Sequence, residues 1–216
     1  MKFIRTLIIS TILITTELSS NDLNNNEECN SSNVSTEERA FTNTFSGIFN
    51  GKKINYVASL KEKILYEKDN PDEPMASFFY TEYIAETNEN RPVIFSFNGG
   101  PGSASLWLHM GVLGPKVIKV PSDASDDGAP PYNIVDNNLS PLSDADLVFI
   151  DPIGTGYSRA IGCHEGEEFW GVNEDPKIIA EFIRRWISDN NRWNSPRYIL
   201  GESYGGIRGP LLVSEL

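Results

Sequence analysis

One short run near the carboxyl end constrains this chain more than any other feature. An apolar stretch over residues 197–200 meets Gly201-Glu202-Ser203-Tyr204-Gly205, and helix-forming residues follow from Ile207. A strand that becomes a helix so quickly must place its central serine on a tight, strained turn, with the hydroxyl in solvent. Glycine on both sides leaves room for that turn to pass its neighbours. The new helix then points its positive end and its unpaired N–H groups toward the serine. A turn of this kind belongs to a sheet whose strands alternate with helices.

The rest of the chain carries that alternation. β-branched and aromatic residues over 54–66 and 75–85 flank Asn70-Pro71-Asp72, which predicts two antiparallel strands joined by a turn. Residues 92–97 and 146–151 are short apolar runs that end in Gly- and Pro-rich turns, as buried strands do. Residues 103–113 suit a helix capped by Ser103, and residues 121–131 suit an exposed loop. Ile178, Ile179, Phe182, Ile183, Trp186 and Ile187 recur at helical spacing, and Asp175-Pro176 marks the start of their helix. The expected fold class is α/β: a mainly parallel sheet with helices on both faces and right-handed crossovers.

The amino terminus reads as an address. Lys2 and Arg5 precede an apolar run over 7–16, and polar residues begin at Glu17. Residues 1–20 therefore fit a secretory signal, too short to anchor the chain in a bilayer. Residues 21–46 are rich in Asn, Ser, Glu and Thr and predict a solvated leader, with the folded domain over 47–216. Asn30 and Asn33 begin glycan acceptor triplets. Export would permit a bridge between Cys29 and Cys163, although two free thiols fit the sequence equally well.

Composition removes several classes of function. A net charge of −12 opposes non-specific nucleic-acid binding and docking on an anionic membrane. Two cysteines and two histidines are too few for a four-cysteine zinc site or a His-rich metal centre. No metal and no cofactor is expected. Trp170, Trp186 and Trp193 are expected in the core or at an interface. Glu165, Glu167 and Glu168 are expected in a solvated loop.

Two further stretches carry chemistry. Asn98-Gly99-Gly100-Pro101-Gly102 follows a strand and presents backbone N–H groups with no side chain in the way. One of them and the N–H of Tyr204 can together form an oxyanion hole for a reaction at Ser203. Asp151-Pro152-Ile153-Gly154-Thr155-Gly156-Tyr157-Ser158 also leaves a strand end, where open α/β sheets gather their binding residues.

These stretches, in this order and at these separations, resemble the serine carboxypeptidase family, which has the α/β-hydrolase fold. Trp107-Leu108-His109-Met110-Gly111 and Phe169-Trp170-Gly171-Val172 resemble its bacterial branch. The resemblance implies Ser203 as nucleophile, with the N–H groups of Gly100 and Tyr204 as the oxyanion hole. It implies Asn98, the Gly99 N–H and Glu202 as the holders of a substrate's terminal carboxylate. The implied substrate is a peptide or protein with a free carboxyl terminus, and the implied location is outside the cytoplasm. Two carboxylates share a site only with a proton between them, so the Glu202 carboxyl is expected to titrate high.

The sequence departs from the family at two points. Val112 stands where many members carry a second acidic residue, which opens an alternative as an esterase or acyltransferase on the same fold. The hydrolase triad runs Ser, then Asp or Glu, then His, yet no histidine follows Ser203 and the only later acid is Glu215. His109 and His164 lie upstream, one expected in a helix and one in a surface loop. The expectation is therefore the amino-terminal part of a hydrolase, truncated after the nucleophile elbow and inactive alone. The remaining alternative is a non-catalytic binding protein. Nothing here fixes the oligomeric state.

Overall fold

A computed structural model describes residues 34–216, apart from 88, 89, 122, 124, 126 and 127. The signal over 1–20, Cys29, Asn30 and Asn33 lie outside the described residues. The strands are β1 (Ala40–Phe49), β2 (Lys52–Tyr66), β3 (Pro74–Ala85), β4 (Val93–Phe97), β5 (Lys116–Ile118), β6 (Ile134–Asp136), β7 (Asp146–Ile150), β8 (Arg159–Ala160) and β9 (Arg197–Gly201). The helices are α1 (Leu106–Leu108), which runs into a π-helical turn His109–Leu113, then α2 (Glu174–Asp189) and α3 (Gly205–Glu215).

Seven strands form one mixed sheet, in the order β1-β2-β3-β7-β4-β9, with β8 also on β3. Its parallel part is β7, β4 and β9, the strands that the strand–helix alternation predicts. Its antiparallel part is β1, β2 and β3, joined to the parallel part where β3 meets β7. Strands β5 and β6 form a separate ribbon.

Strand β1 corrects the expected boundary of the solvated leader. It begins at Ala40 and pairs with β2 from Ala40 opposite Lys61 to Phe49 opposite Lys52. Phe41, Phe45 and Phe49 fall on one side of this strand, yet only Phe49 is buried. An edge strand held by backbone bonds to one neighbour needs little apolar alternation, so its composition resembles a polar leader.

The sheet has a core on each face. On one face α2 and α3 cover Phe78, Tyr80, Phe95, Phe97, Val148 and Ile150. On the other, Leu108 and Leu142 pack against Phe49, Tyr56, Tyr83, Leu147 and Phe149. Every residue of β7 is buried, which is why its sequence reads as a continuous apolar run.

Helix α2 follows its sequence period closely. Ile178, Ile179, Phe182, Ile183, Trp186 and Ile187 are all buried, while Glu181 meets Arg184 and Arg185 on the outer side. Pro176 sits in the first turn, where its missing N–H has no intrahelical acceptor to lose. The Phe182 ring lies 5.0 Å from each of Phe78 and Tyr80. The Trp186 indole donates at 2.8 Å to the buried carboxylate of Glu82, which also meets Lys61 at 2.6 Å.

His109 is partly buried against the second core. Its Nε2 lies 2.6 Å from the Tyr83 hydroxyl, and its ring stacks on Phe149. Burial pushes its pKa down to about 4, so the ring stays neutral in the folded protein.

Two outcomes follow from this packing. Phe182→Ala should lower unfolding free energy by about 3–5 kcal/mol in urea titrations, since it empties a site walled by rigid aromatics. A loss under about 1 kcal/mol would show that the core closes around the gap. His109 acts through pH. The unfolded chain takes up its proton near 6.5 and the folded chain only near 4. The stability from a neutral His109 is therefore complete above pH 6.5 and lost as pH falls toward 4, on the order of 3 kcal/mol. His109→Gln should lose less stability than the parent protein between pH 7 and pH 4.5. Equal losses would refute the assignment.

Candidate active site

The turn after β9 has the predicted form. Ser203 adopts a left-handed backbone with φ of +57°, and α3 begins two residues later at Gly205. Such a conformation is costly for a residue with a Cβ, and its surroundings must hold it. The flanking glycines allow this. A Cβ at Gly201 would fall 2.3 Å from the Gly205 carbonyl oxygen, and one at Gly205 would fall 3.2 Å from the Phe97 carbonyl oxygen. The N–H of Gly205 donates to the Glu202 carbonyl at 2.8 Å, and that of Gly206 donates to the Ser203 carbonyl at 2.8 Å. Ser203 is exposed. Strand β9 itself reads as buried but is half-exposed, because it pairs only with β4 among the described residues.

The glycine-rich loop abuts this turn. A Cβ at Gly99 would lie 2.4 Å from the Tyr204 amide nitrogen and 2.6 Å from the Glu202 carbonyl oxygen, so only glycine fits. Gly100 has φ of +105°. Asn98 is fully buried; its Oδ1 accepts from the Leu108 N–H at 3.0 Å, and its Nδ2 donates to Glu202 Oε2 at 3.1 Å. Among the described residues, the N–H groups of Gly100 and Tyr204 and the Ser203 hydroxyl have no hydrogen-bond partner. The structure thus gathers Asn98, Gly99, Gly100, Glu202, Ser203 and Tyr204 at one end of β4 and β9.

Sequence reasoning missed the group beneath them. Arg208, only 2% exposed, donates from Nε to Asp175 Oδ2 at 2.7 Å and from Nη1 to the Asn98 carbonyl at 2.7 Å. Its guanidinium also lies over the rings of Phe97 and Tyr204. Burial raises the Asp175 pKa, and the charge of Arg208 opposes that rise. An arginine within an otherwise apolar α3 was the available signal. Above this pair lies a cleft of about 300 Å³ bounded by Pro101, Gly102, Ile153, Gly154, Trp170 and Arg208. Trp186 is the core tryptophan of the three, while Trp170, at the wall of this cleft, and Trp193 are more than half exposed.

The far end of the glycine-rich loop is fixed by Ser105. The Asp151 Oδ1 accepts from the Ser105 N–H at 2.8 Å, and the Ser105 hydroxyl donates to the Ile150 carbonyl. Ser105, not Ser103, precedes α1, and it spends its hydroxyl on β7 instead of capping the helix. Only Leu106–Leu108 is α-helical where a longer helix was expected; the π turn His109–Leu113 replaces the rest. Val112 lies on that turn and is exposed.

Neither histidine serves Ser203. His109 faces Tyr83, and His164 meets Glu67 at 3.0 Å and Glu168 at 2.8 Å. Glu168 also accepts from the Glu165 N–H, closing a capping box on the short helix Gly166–Phe169. Cys163 is disulfide-bonded.

The same arrangement is matched in known proteins. Residues 55–216 match the serine carboxypeptidase family. Serine carboxypeptidase-like 9 of Arabidopsis thaliana is 29% identical over 150 residues, which is 67% of this chain and 32% of that protein. Serine carboxypeptidase-like 13 of the same plant is 30% identical over 149 residues, 67% of this chain and 33% of that protein. The chain spans about a third of the length of the curated relatives it matches. Among solved structures, a peroxisomal alpha-beta-hydrolase of Saccharomyces cerevisiae covers 82% of this chain and 40% of its own length, with a TM-score of 0.40 and 10% identity. A match that takes in the glycine-rich loop, the Asp151 turn and the Ser203 elbow together gives the chain its place: it belongs to the serine carboxypeptidase family.

Proposed function

We propose that this chain supplies the nucleophile, the oxyanion hole and the terminal-carboxylate holder of an exported serine carboxypeptidase. The observation that supports the reading is the close approach of the Gly99 backbone to the Tyr204 amide nitrogen, which brings the glycine-rich loop against the strained turn at Ser203. In this reading Ser203 Oγ attacks the carbonyl carbon of the last peptide bond, and its proton passes to a general base. The carbonyl oxygen takes negative charge between the N–H groups of Gly100 and Tyr204, each such donor being worth about 10²–10³ in rate. The C–N bond then breaks, the amine leaves with the proton, and water hydrolyses the Ser203 ester. Acyl transfer of this kind needs no metal or cofactor.

Asn98 and Glu202 support the choice of substrate. Their side chains are joined at 3.1 Å beside the serine, a pair suited to a carboxylate that shares a proton with Glu202. A peptide or protein with a free carboxyl terminus is the matching partner. Both histidines are engaged elsewhere, so the reading takes its base from outside this sequence. The charged, apolar and polar order of residues 1–20 supports export. No helix of the described residues is long and apolar enough to cross a membrane.

A second reading rests on Val112. Its side chain, exposed and uncharged, adds nothing to a carboxylate clamp, which favours an esterase or acyltransferase.

Labelling separates these readings. A fluorophosphonate applied to the protein purified from its source should modify Ser203, and Ser203→Ala should abolish both label and turnover. Label on another residue would sink the assignment. Blocked dipeptides with a free carboxylate should turn over at least about 100-fold faster than their amides, a difference of roughly 3 kcal/mol. Turnover of simple esters alone would select the second reading. Glu202→Gln should remove the pH dependence of KM for free-carboxylate substrates, while esters are unaffected. An unchanged pH profile would refute the role of Glu202.

A further inference from the structure

Residues 98–105 are anchored at both ends, and the two anchors differ in kind. At the near end three partners share the hold on Asn98: the Leu108 N–H, the Glu202 carboxyl and the Arg208 guanidinium. At the far end the Ser105 N–H donates to Asp151 Oδ1 at 2.8 Å. The Asp151 side chain is folded into its own turn: a Cβ at Gly156 would fall 2.0 Å from Asp151 Oδ2, so the backbone of Gly156 closes over the carboxyl. A small cavity of about 100 Å³ lies beside it, and the titratable groups that share its lining are Tyr80 of β3, His109 of the π turn and Tyr157 of the same loop. Among the described residues no lysine or arginine pairs with Asp151.

We propose that Asp151 is a positioning residue whose protonation state sets the placement of the glycine-rich loop, and hence of the Gly100 N–H. The inference rests on the proposed role of that N–H in the oxyanion hole. Ionised, Asp151 is a strong acceptor that draws Ser105 and the loop end against β7. Protonated, it is a weaker acceptor, and the far anchor loosens. Burial raises its pKa above that of an ordinary aspartate, so the change sets in at a higher pH than it would for an exposed carboxyl. As pH falls through that transition the loop loses its charged anchor, and acylation at Ser203 should slow about tenfold, equal to roughly 1.4 kcal/mol. His109 does not supply this transition, because it stays neutral down to about pH 4.

The test is a pH titration of the full chain, labelled with ¹⁵N, between about pH 4 and pH 7.5, a window that brackets a raised carboxyl pKa. The Ser105 amide should shift with one midpoint, and the Gly99 and Gly100 amides should share it. In Asp151→Asn, which keeps a neutral acceptor at the same place, all three should stay flat. The rate of fluorophosphonate labelling at Ser203 should then lose the limb at that midpoint and sit several-fold below the parent rate at pH 7. A Ser105 amide that does not titrate, or a Gly100 amide that titrates unchanged in Asp151→Asn, overturns the proposal. If the variant does not fold, coincidence of the three midpoints in the parent protein decides alone, and separate midpoints refute it. Absence of label at every pH would refute the role of Ser203 and leave the amide titration to judge Asp151.

Discussion

The buried guanidinium of Arg208 is the point on which the site's geometry depends. It comes from α3, one turn beyond the serine, and reaches both the first turn of α2 and the carbonyl that ends β4. Three segments distant in sequence are thereby fixed relative to one another by one planar group. Arginine suits the position because its fork of donors can meet a carboxylate and a carbonyl at once while its faces rest on Phe97 and Tyr204. A buried pair of this kind gives little net stability over an apolar substitute. Its value lies in direction, since α3 cannot rotate or slide without leaving a charge unpaired in the core.

That rigidity matters because the turn above it is strained. A serine at φ of +57° is held there only if its neighbours leave no alternative. Gly99, Gly201 and Gly205 bring three backbones close together; a side chain would clash at Gly99 and Gly201 and would be tight at Gly205. Close packing therefore fixes the serine, and the arginine fixes the packing. In the proposed reading, N–H donors fixed this way need no reorganisation when charge develops at a substrate carbonyl.

Much of this was legible in the sequence, for physical reasons. Gly201-Glu202-Ser203-Tyr204-Gly205 and Asn98-Gly99-Gly100 are local solutions to local constraints, so their residue types declare them. Helix α2 was legible because one buried face against one sheet imposes a strict period. Strand β1 was not, because an exposed edge strand is specified by pairing with β2 more than by its own side chains. The helix expected over 103–113 was not, because Ser105 spends its hydroxyl on β7 and the chain then widens into a π turn. The partners of Asp151, Asp175 and Arg208 escaped for a common reason: each partner lies tens of positions away, and no local pattern names it.

Those three residues, with His109, show what the interior of this site permits. Burial pushes His109 down and both Asp151 and Asp175 up, while the Ser105 N–H draws Asp151 back toward ionisation and Arg208 does the same for Asp175. The interior thus tolerates charge where a fixed partner meets it and suppresses it elsewhere. Around Ser203 the exposed carboxyl of Glu202 is held by the Asn98 amide, while the buried carboxyl of Asp175 is held by a guanidinium.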